Sequence, residues 1–177
     1  MKFSYTVRPV VLGIFPTSHG IGWAAFDGPF SVVGHGSHTV IRDKNRICLR
    51  KVEKLLGAYK PDLVVLEAFE RPAMRHARIQ RLCRSISALT EGRGHGLSVF
   101  PRSQVRAAFA SSGALTREEV AKQVAIRVPM LEALLPKPRR FDDGICKRMA
   151  MFNAAALVLT HYYFSSNDLL DDLKGAA

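Results

Sequence analysis

The order of strand-like and helix-like segments constrains the fold of this chain most strongly. The chain opens with a short apolar run, Val10–Ile14, and a turn at Pro16–Gly20 separates this run from a second apolar segment, Ile21–Phe26. A tight turn at Asp27–Pro29 then leads into a third segment, Phe30–Val40. Short apolar segments joined by tight turns are typical of β-hairpins. The chain up to Val40 is therefore predicted to form a three-stranded antiparallel meander.

Helical and strand-like patterns alternate through the rest of the chain. Apolar residues at helical spacing, capping residues and prolines mark the helices, and short β-branched runs mark the strands. The order predicts one α/β domain, residues 1–164, in which helices flank a mixed five-stranded sheet on both faces, followed by a flexible polar tail, residues 165–177. The predicted segments after the meander are a helix at Asp43–Tyr59, a strand at Leu63–Glu67, a helix at Met74–Glu91, a strand at Leu97–Phe100, and helices at Ser103–Ala110, Thr116–Val128 and Ile145–Phe164.

The charge of the chain indicates a polyanionic partner. Its 177 residues include 26 lysines and arginines against 15 aspartates and glutamates, a formal net charge of +11. Nucleic acid is the commonest partner of so basic a domain. The hydrophobic content of 47% is that of a folded globular protein, so a disordered basic tail is excluded.

The cysteines and the apolar segments bear on the compartment. Cys48, Cys83 and Cys146 are far apart and odd in number, which argues against a disulfide framework and a zinc ribbon. We therefore expect the cytoplasm or another reducing intracellular compartment. The N-terminal residues Met1–Pro9 lack the apolar core of a signal peptide, and Met149–Asn167 has the polar residues of a buried helix, so no membrane association is expected.

Four segments carry a resemblance to a known family. Leu12–Ala24 resembles the first hairpin of RuvC-type Holliday junction resolvases, which have a ribonuclease-H-like fold, and Asp62–Glu67 is similar to their fourth strand. Val99–Arg106 is similar to their fifth strand and the helix after it, and Met149–His161 resembles their closing helix. The resemblance implies a ribonuclease-H-like fold, a role in DNA recombination, DNA rather than RNA as the partner, and a possible homodimer through the helix at Met74–Glu91.

The metal-binding acids of that family are mostly replaced in this chain. The resemblance places the catalytic acids at four positions, and only Glu67 is acidic; Phe15, Ala150 and Asn153 stand at the other three. Two magnesium ions need several converging carboxylates. We therefore expect a degenerate site with no cofactor, or at most a weak metal site on Glu67, and magnesium only where some activity is retained.

Other acids offer an alternative to this degenerate site. Glu70 lies three residues beyond Glu67, and Asp142 and Asp143 precede the last helix. Together with Glu67 they could form a rebuilt ligand set. A solvated acidic pair before a helix N-terminus explains the two aspartates more simply.

Arginines are concentrated in the middle of the chain. Between Arg71 and Gly113 there are eight arginines, no lysine and a single acid, Glu91. Arginine suits bidentate contacts with phosphate. Arg78, Arg81 and Arg84 lie opposite the apolar stripe of their helix and are predicted to face outward. The predicted nucleic-acid-binding residues are Arg71, Arg75, Arg78, Arg81, Arg84, Arg102 and Arg106, with a second cluster at Lys137, Arg139, Arg140, Lys147 and Arg148.

Three functional hypotheses follow from the sequence. The first is a resolvase-like protein that binds branched or duplex DNA through arginine-rich surfaces and has lost its nuclease activity. The second is an active magnesium-dependent, structure-selective endonuclease that uses the rebuilt acid set. The third is a structural subunit of a larger nucleoprotein assembly. The missing acids at Phe15 and Asn153 favour the first and third hypotheses over the second.

Overall fold

A single mixed sheet organises the chain, with strand order β3-β2-β1-β4-β5. The computed structural model describes residues 8–68, 77–137 and 147–175, and side chains as far as residue 167. The central strand β1 pairs antiparallel with β2 and parallel with β4, while β3 is antiparallel to β2 and β5 is parallel to β4. The predicted ribonuclease-H-like α/β fold is confirmed. The strands are β1 at Val11–Thr17, β2 at Gly20–Gly28, β3 at Ser31–Thr39, β4 at Leu63–Ala68 and β5 at Gly96–Pro101.

Helices cover both faces of this sheet. A capping box begins α4: the Thr116 hydroxyl accepts from the Glu119 N–H at 3.2 Å, and the Glu119 carboxylate accepts from the Thr116 N–H at 2.8 Å. This helix start was predicted from the sequence and is confirmed. No helix in the described ranges is long and apolar enough to span a membrane. The helices are α1 at Lys44–Tyr59, α2 at Ala77–Gly92, α3 at Arg102–Phe109, α4 at Arg117–Arg127 and α5 at Lys147–Gly175.

Successive residues of the central strands pack against opposite helix layers. In β1, Leu12 and Ile14 pack with the helices α1 and α2, whereas Val11 and Phe15 pack with α3, α4 and α5. In β4, Val65 packs on the side of α3, α4 and α5. Side chains alternate between the two sides because successive residues of a pleated β-strand point in opposite directions. Glu67, two residues after Val65, therefore lies on the α5 side of the sheet.

Helix α5 contacts the sheet at two glycines. A Cβ atom on Gly13 would overlap the Ala154 carbonyl, and one on Gly22 would overlap the backbone of Ala150. Side chains at these two strand positions would force the helix outward. The glycines therefore set the distance between α5 and the first two strands.

The last helix is longer than the sequence indicated. The prediction that it ends at Phe164 is wrong, because α5 continues to Gly175. No proline or glycine interrupts the sequence between these two residues, so nothing in the backbone ends the helix earlier. Flexibility of residues 165–177 stays a prediction.

Replacing Gly22 with alanine is expected to destabilise the protein by roughly 1–3 kcal/mol, because the added methyl group must displace helix backbone. Gly57→Ala is the matched control, since Gly57 lies on α1 with open space where its Cβ would be. The control should be neutral or slightly stabilising. Urea unfolding midpoints measure both effects, and equal midpoints for the two variants would contradict the close approach of α5 to β2.

Candidate functional site

The carboxyl ends of β1 and β4 lie side by side and carry the first two predicted site residues. The parallel register pairs Ile14 with Leu66, so Phe15 and Glu67 follow as neighbours at the same edge of the sheet. Both residues are buried and lie on the α5 side. The sheet thus brings together Phe15 and Glu67, two residues of the predicted degenerate site.

Helix α5 contributes the other two predicted positions. Ala150 is buried against Gly22, the residue that pairs with Phe15 across the first hairpin. Asn153 lies one helical turn further along and is only 7% exposed. Ala150 therefore lies against the strand that pairs with Phe15, and the place of Asn153 at one site with Phe15 and Glu67 stays a prediction.

Glu67 is held by an arginine that the sequence analysis did not single out. The Arg117 guanidinium donates two hydrogen bonds to the Glu67 carboxylate, at 2.9 Å and 3.2 Å, one to each oxygen. The Glu67 side chain is 6% exposed and that of Arg117 is 34% exposed. Bidentate pairs of this kind are among the stronger polar interactions in proteins. The buried carboxylate therefore already has a cationic partner within the chain.

The aromatic ring of Phe15 also contacts this guanidinium. The Cζ atom of Arg117 lies 4.9 Å from the centroid of the Phe15 ring, within the range of a cation–π contact. The guanidinium of Arg117 therefore contacts both Glu67 and Phe15.

The described residues around Glu67 do not fit a pair of divalent ions. Phe15 and Ala150 have no ligand atom, and Asn153 offers only a neutral amide. Residues 8–68, 77–137 and 147–175 contain no group of three or more histidines, cysteines, aspartates or glutamates that could hold a metal. The acids of the alternative ligand set at Glu70, Asp142 and Asp143 lie outside the described residues.

More positive charge surrounds the Glu67–Arg117 pair. Arg102 lies at the start of α3 and is partly buried. Its burial lowers its pKa, and the nearby charges of Arg117 and Arg106 lower it further. The charge of Glu67 opposes this shift. Arg106 is exposed on the same helix. Two of the predicted phosphate-binding arginines therefore lie close to the Glu67 edge.

The arginines of α2 do not all face the solvent. Arg81 and Arg84 are exposed, as predicted. The same prediction is wrong for Arg78, which is partly buried and donates to the Asn45 side chain at 2.8 Å and to the Thr17 carbonyl at 2.6 Å. Helical periodicity places Arg78 on the polar side of α2, but α1 and the first hairpin cover α2 at this position. Arg78 links three elements of the fold.

The remaining basic residues of the predicted surface are only partly described. Lys137, Lys147 and Arg148 are exposed. They lie next to the ends of the described ranges. Four further predicted residues, Arg71, Arg75, Arg139 and Arg140, lie outside the described residues.

An open cleft of about 530 Å³ links the α2 surface to the Glu67 edge. Glu67 and Val99 line it from the sheet, and Gln80, Cys83 and Arg84 line it from α2. Burial raises the pKa of the Cys83 thiol to about 11, with a smaller contribution from the negative charge of Glu67. The cleft thus places an exposed arginine and the edge of the sheet along one concave surface.

Comparisons with known proteins identify the fold. No protein-family model and no curated protein sequence matches the chain. Among solved structures, Thermus thermophilus RuvC in complex with a Holliday junction substrate is 18% identical, with a TM-score of 0.67 over 89% of this chain and 95% of that chain.

Other resolvases have the same architecture. A structure of Thermus thermophilus RuvC is 19% identical, with a TM-score of 0.67 over 90% of this chain and 96% of that chain. The yeast mitochondrial Holliday junction resolvase is 13% identical, with a TM-score of 0.65 over 96% of this chain and 85% of that chain. At these identities the similarity establishes the fold, and the resemblance seen in the sequence is confirmed at that level: the chain has the ribonuclease-H-like fold of the RuvC-type Holliday junction resolvases.

Proposed function

We propose that this protein binds branched or duplex DNA through its arginine-rich surfaces and that its nuclease activity is lost or impaired. One observation carries the proposal: exposed arginines lie beside a sheet edge at which the Glu67 carboxylate is already paired with Arg117. Exposed arginines attract phosphates. Among the described residues, Phe15, Ala150 and Asn153 carry no carboxylate for the metal ions that cleavage would need.

The charge of the protein supports a polyanionic ligand. Its net charge of +11 produces a positive potential that draws phosphates from a distance. Arg81, Arg84 and Arg106 are exposed. No ion pair to any of these three is found among the described residues. These guanidinium groups are therefore available for contacts with a phosphate backbone.

The solved neighbours favour DNA, and branched DNA in particular. They are Holliday junction resolvases, and one of them was solved with a Holliday junction substrate. A four-way junction has four arms related by approximate two-fold symmetry, which suits a protein that binds as a pair of copies. We therefore include a homodimer on the junction in the proposal.

Synthetic four-way junctions are expected to bind this protein with equal affinity in magnesium and in EDTA, at matched ionic strength, and to remain uncut. Electrophoretic mobility shifts measure the affinity, and denaturing gels detect cleavage, with a linear duplex of the same arm sequence as the control ligand. Specific cleavage in magnesium would contradict the loss of activity. Failure to bind either DNA would contradict the binding proposal and favour the hypothesis of a structural subunit.

Removing Arg81 and Arg84 together is expected to weaken binding and to reduce the slope of log affinity against log salt by about 1.8, since each lost phosphate contact removes about 0.9. The matched control is the double variant Arg46→Ala and Arg93→Ala. These arginines are also exposed, but they are paired with Asp43 and Glu53. The control removes the same charge and should leave the slope nearly unchanged. Equal slopes for both variants would place the DNA-binding face elsewhere.

A further inference from the structure

We propose that the guanidinium group of Arg117 takes the place of a divalent cation on Glu67, so that a cation of the chain itself neutralises this carboxylate. This exchange of cations involves only residues of the chain itself and is independent of DNA binding.

The geometry of the pair is the first argument. Both oxygens of the nearly buried Glu67 carboxylate accept a hydrogen bond from Arg117, at 2.9 Å and 3.2 Å. A buried carboxylate is unfavourable unless a counter-charge and hydrogen bonds compensate for lost water. Arg117 supplies both, so the two oxygens that would face a metal ion are already engaged.

The residue at position 15 is the second argument. The Phe15 ring attracts a cation through its face but carries no charge and no ligand atom. An acid in its place would leave two negative charges facing a single guanidinium. With phenylalanine there, the Glu67 carboxylate and the Arg117 guanidinium form a one-to-one ion pair. The aromatic residue and the arginine are thus suited to each other, and neither suits a metal ion.

The position of Arg117 in its helix also makes it depend on Glu67. Arg117 is the first residue of α4, whose start is fixed by the Thr116 capping box. The N-terminus of a helix is the end at which a cation is disfavoured by the helix dipole. The Glu67 carboxylate offsets this effect. Burial and the nearby charge of Arg117 lower the pKa of Arg102, and the charges of Glu67 and Glu118 oppose that shift, so Arg102 is a second cation near this carboxylate.

The first test restores acids with and without Arg117. The variants are F15D/N153D, which keeps Arg117, and F15D/N153D/R117A, which removes it; Tm is measured against magnesium, with sodium chloride at matched ionic strength as the reference. We expect the triple variant to gain about 3–6 °C when magnesium is tenfold above its Kd. F15D/N153D and the parent protein should gain much less.

The matched control for that test is F15D/N153D/R127A. Arg127 lies on the same helix, and its Cζ atom is 4.6 Å from the Phe109 ring, so it makes the same kind of contact with an aromatic ring. No carboxylate is paired with it among the described residues. This control should respond to magnesium as weakly as F15D/N153D. An equal magnesium response with and without Arg117 would overturn the proposal.

A second measurement needs no added acids. R117A should lower Tm by about 5–10 °C relative to R127A, because Glu67 is left buried without a counter-charge. Adding E67Q should recover most of that loss, and R117K should keep part of the parent stability. A loss in R117A that E67Q does not reduce would show that Arg117 acts through packing alone, and would contradict its role as the cation of this site.

Discussion

The direct contact between α5 and the first two strands is the constraint on which the rest of the structure depends. Gly13 and Gly22 have no side chain at the two points where the strands meet α5, so the helix backbone lies directly against the strands there. That contact buries Ala150 and Asn153 on the face that also carries Phe15. A wider spacing would separate these positions. How closely α5 packs on the strands therefore decides which side chains meet at this edge of the sheet.

The charges around Glu67 determine which cation can bind at this edge of the sheet. A carboxylate with 6% exposure needs a positive partner, and in this chain the partner is Arg117. A guanidinium has a single charge, a planar shape and its own donors, so it satisfies one carboxylate beside an aromatic ring. A pair of magnesium ions would need several more hard oxygen ligands. One fold can accommodate either arrangement, and the side chains at a few positions decide between them.

The sequence predicted the mixed five-stranded sheet with helices on both faces, because strand and helix patterns and their order along the chain fix the layers. The resemblance to the resolvases predicted that Phe15 and Glu67 share a site, and the register of β1 and β4 places them at one edge. The sequence did not identify Arg117, which is separated from Glu67 by fifty positions and meets it only through tertiary packing. An arginine directly after the capping residue Thr116 was the one available signal. Helical periodicity also misplaced Arg78, since it describes one helix and takes no account of the neighbours that cover its polar side.

Anomalous diffraction from crystals grown with manganese would test most directly whether the chain itself completes the sheet edge. We expect Arg117 to remain hydrogen-bonded to Glu67 and no manganese peak to lie within coordination distance of that carboxylate. Two manganese ions on Glu67, with Arg117 displaced and further acids drawn in, would contradict it. Such a result would instead favour an active, metal-dependent nuclease.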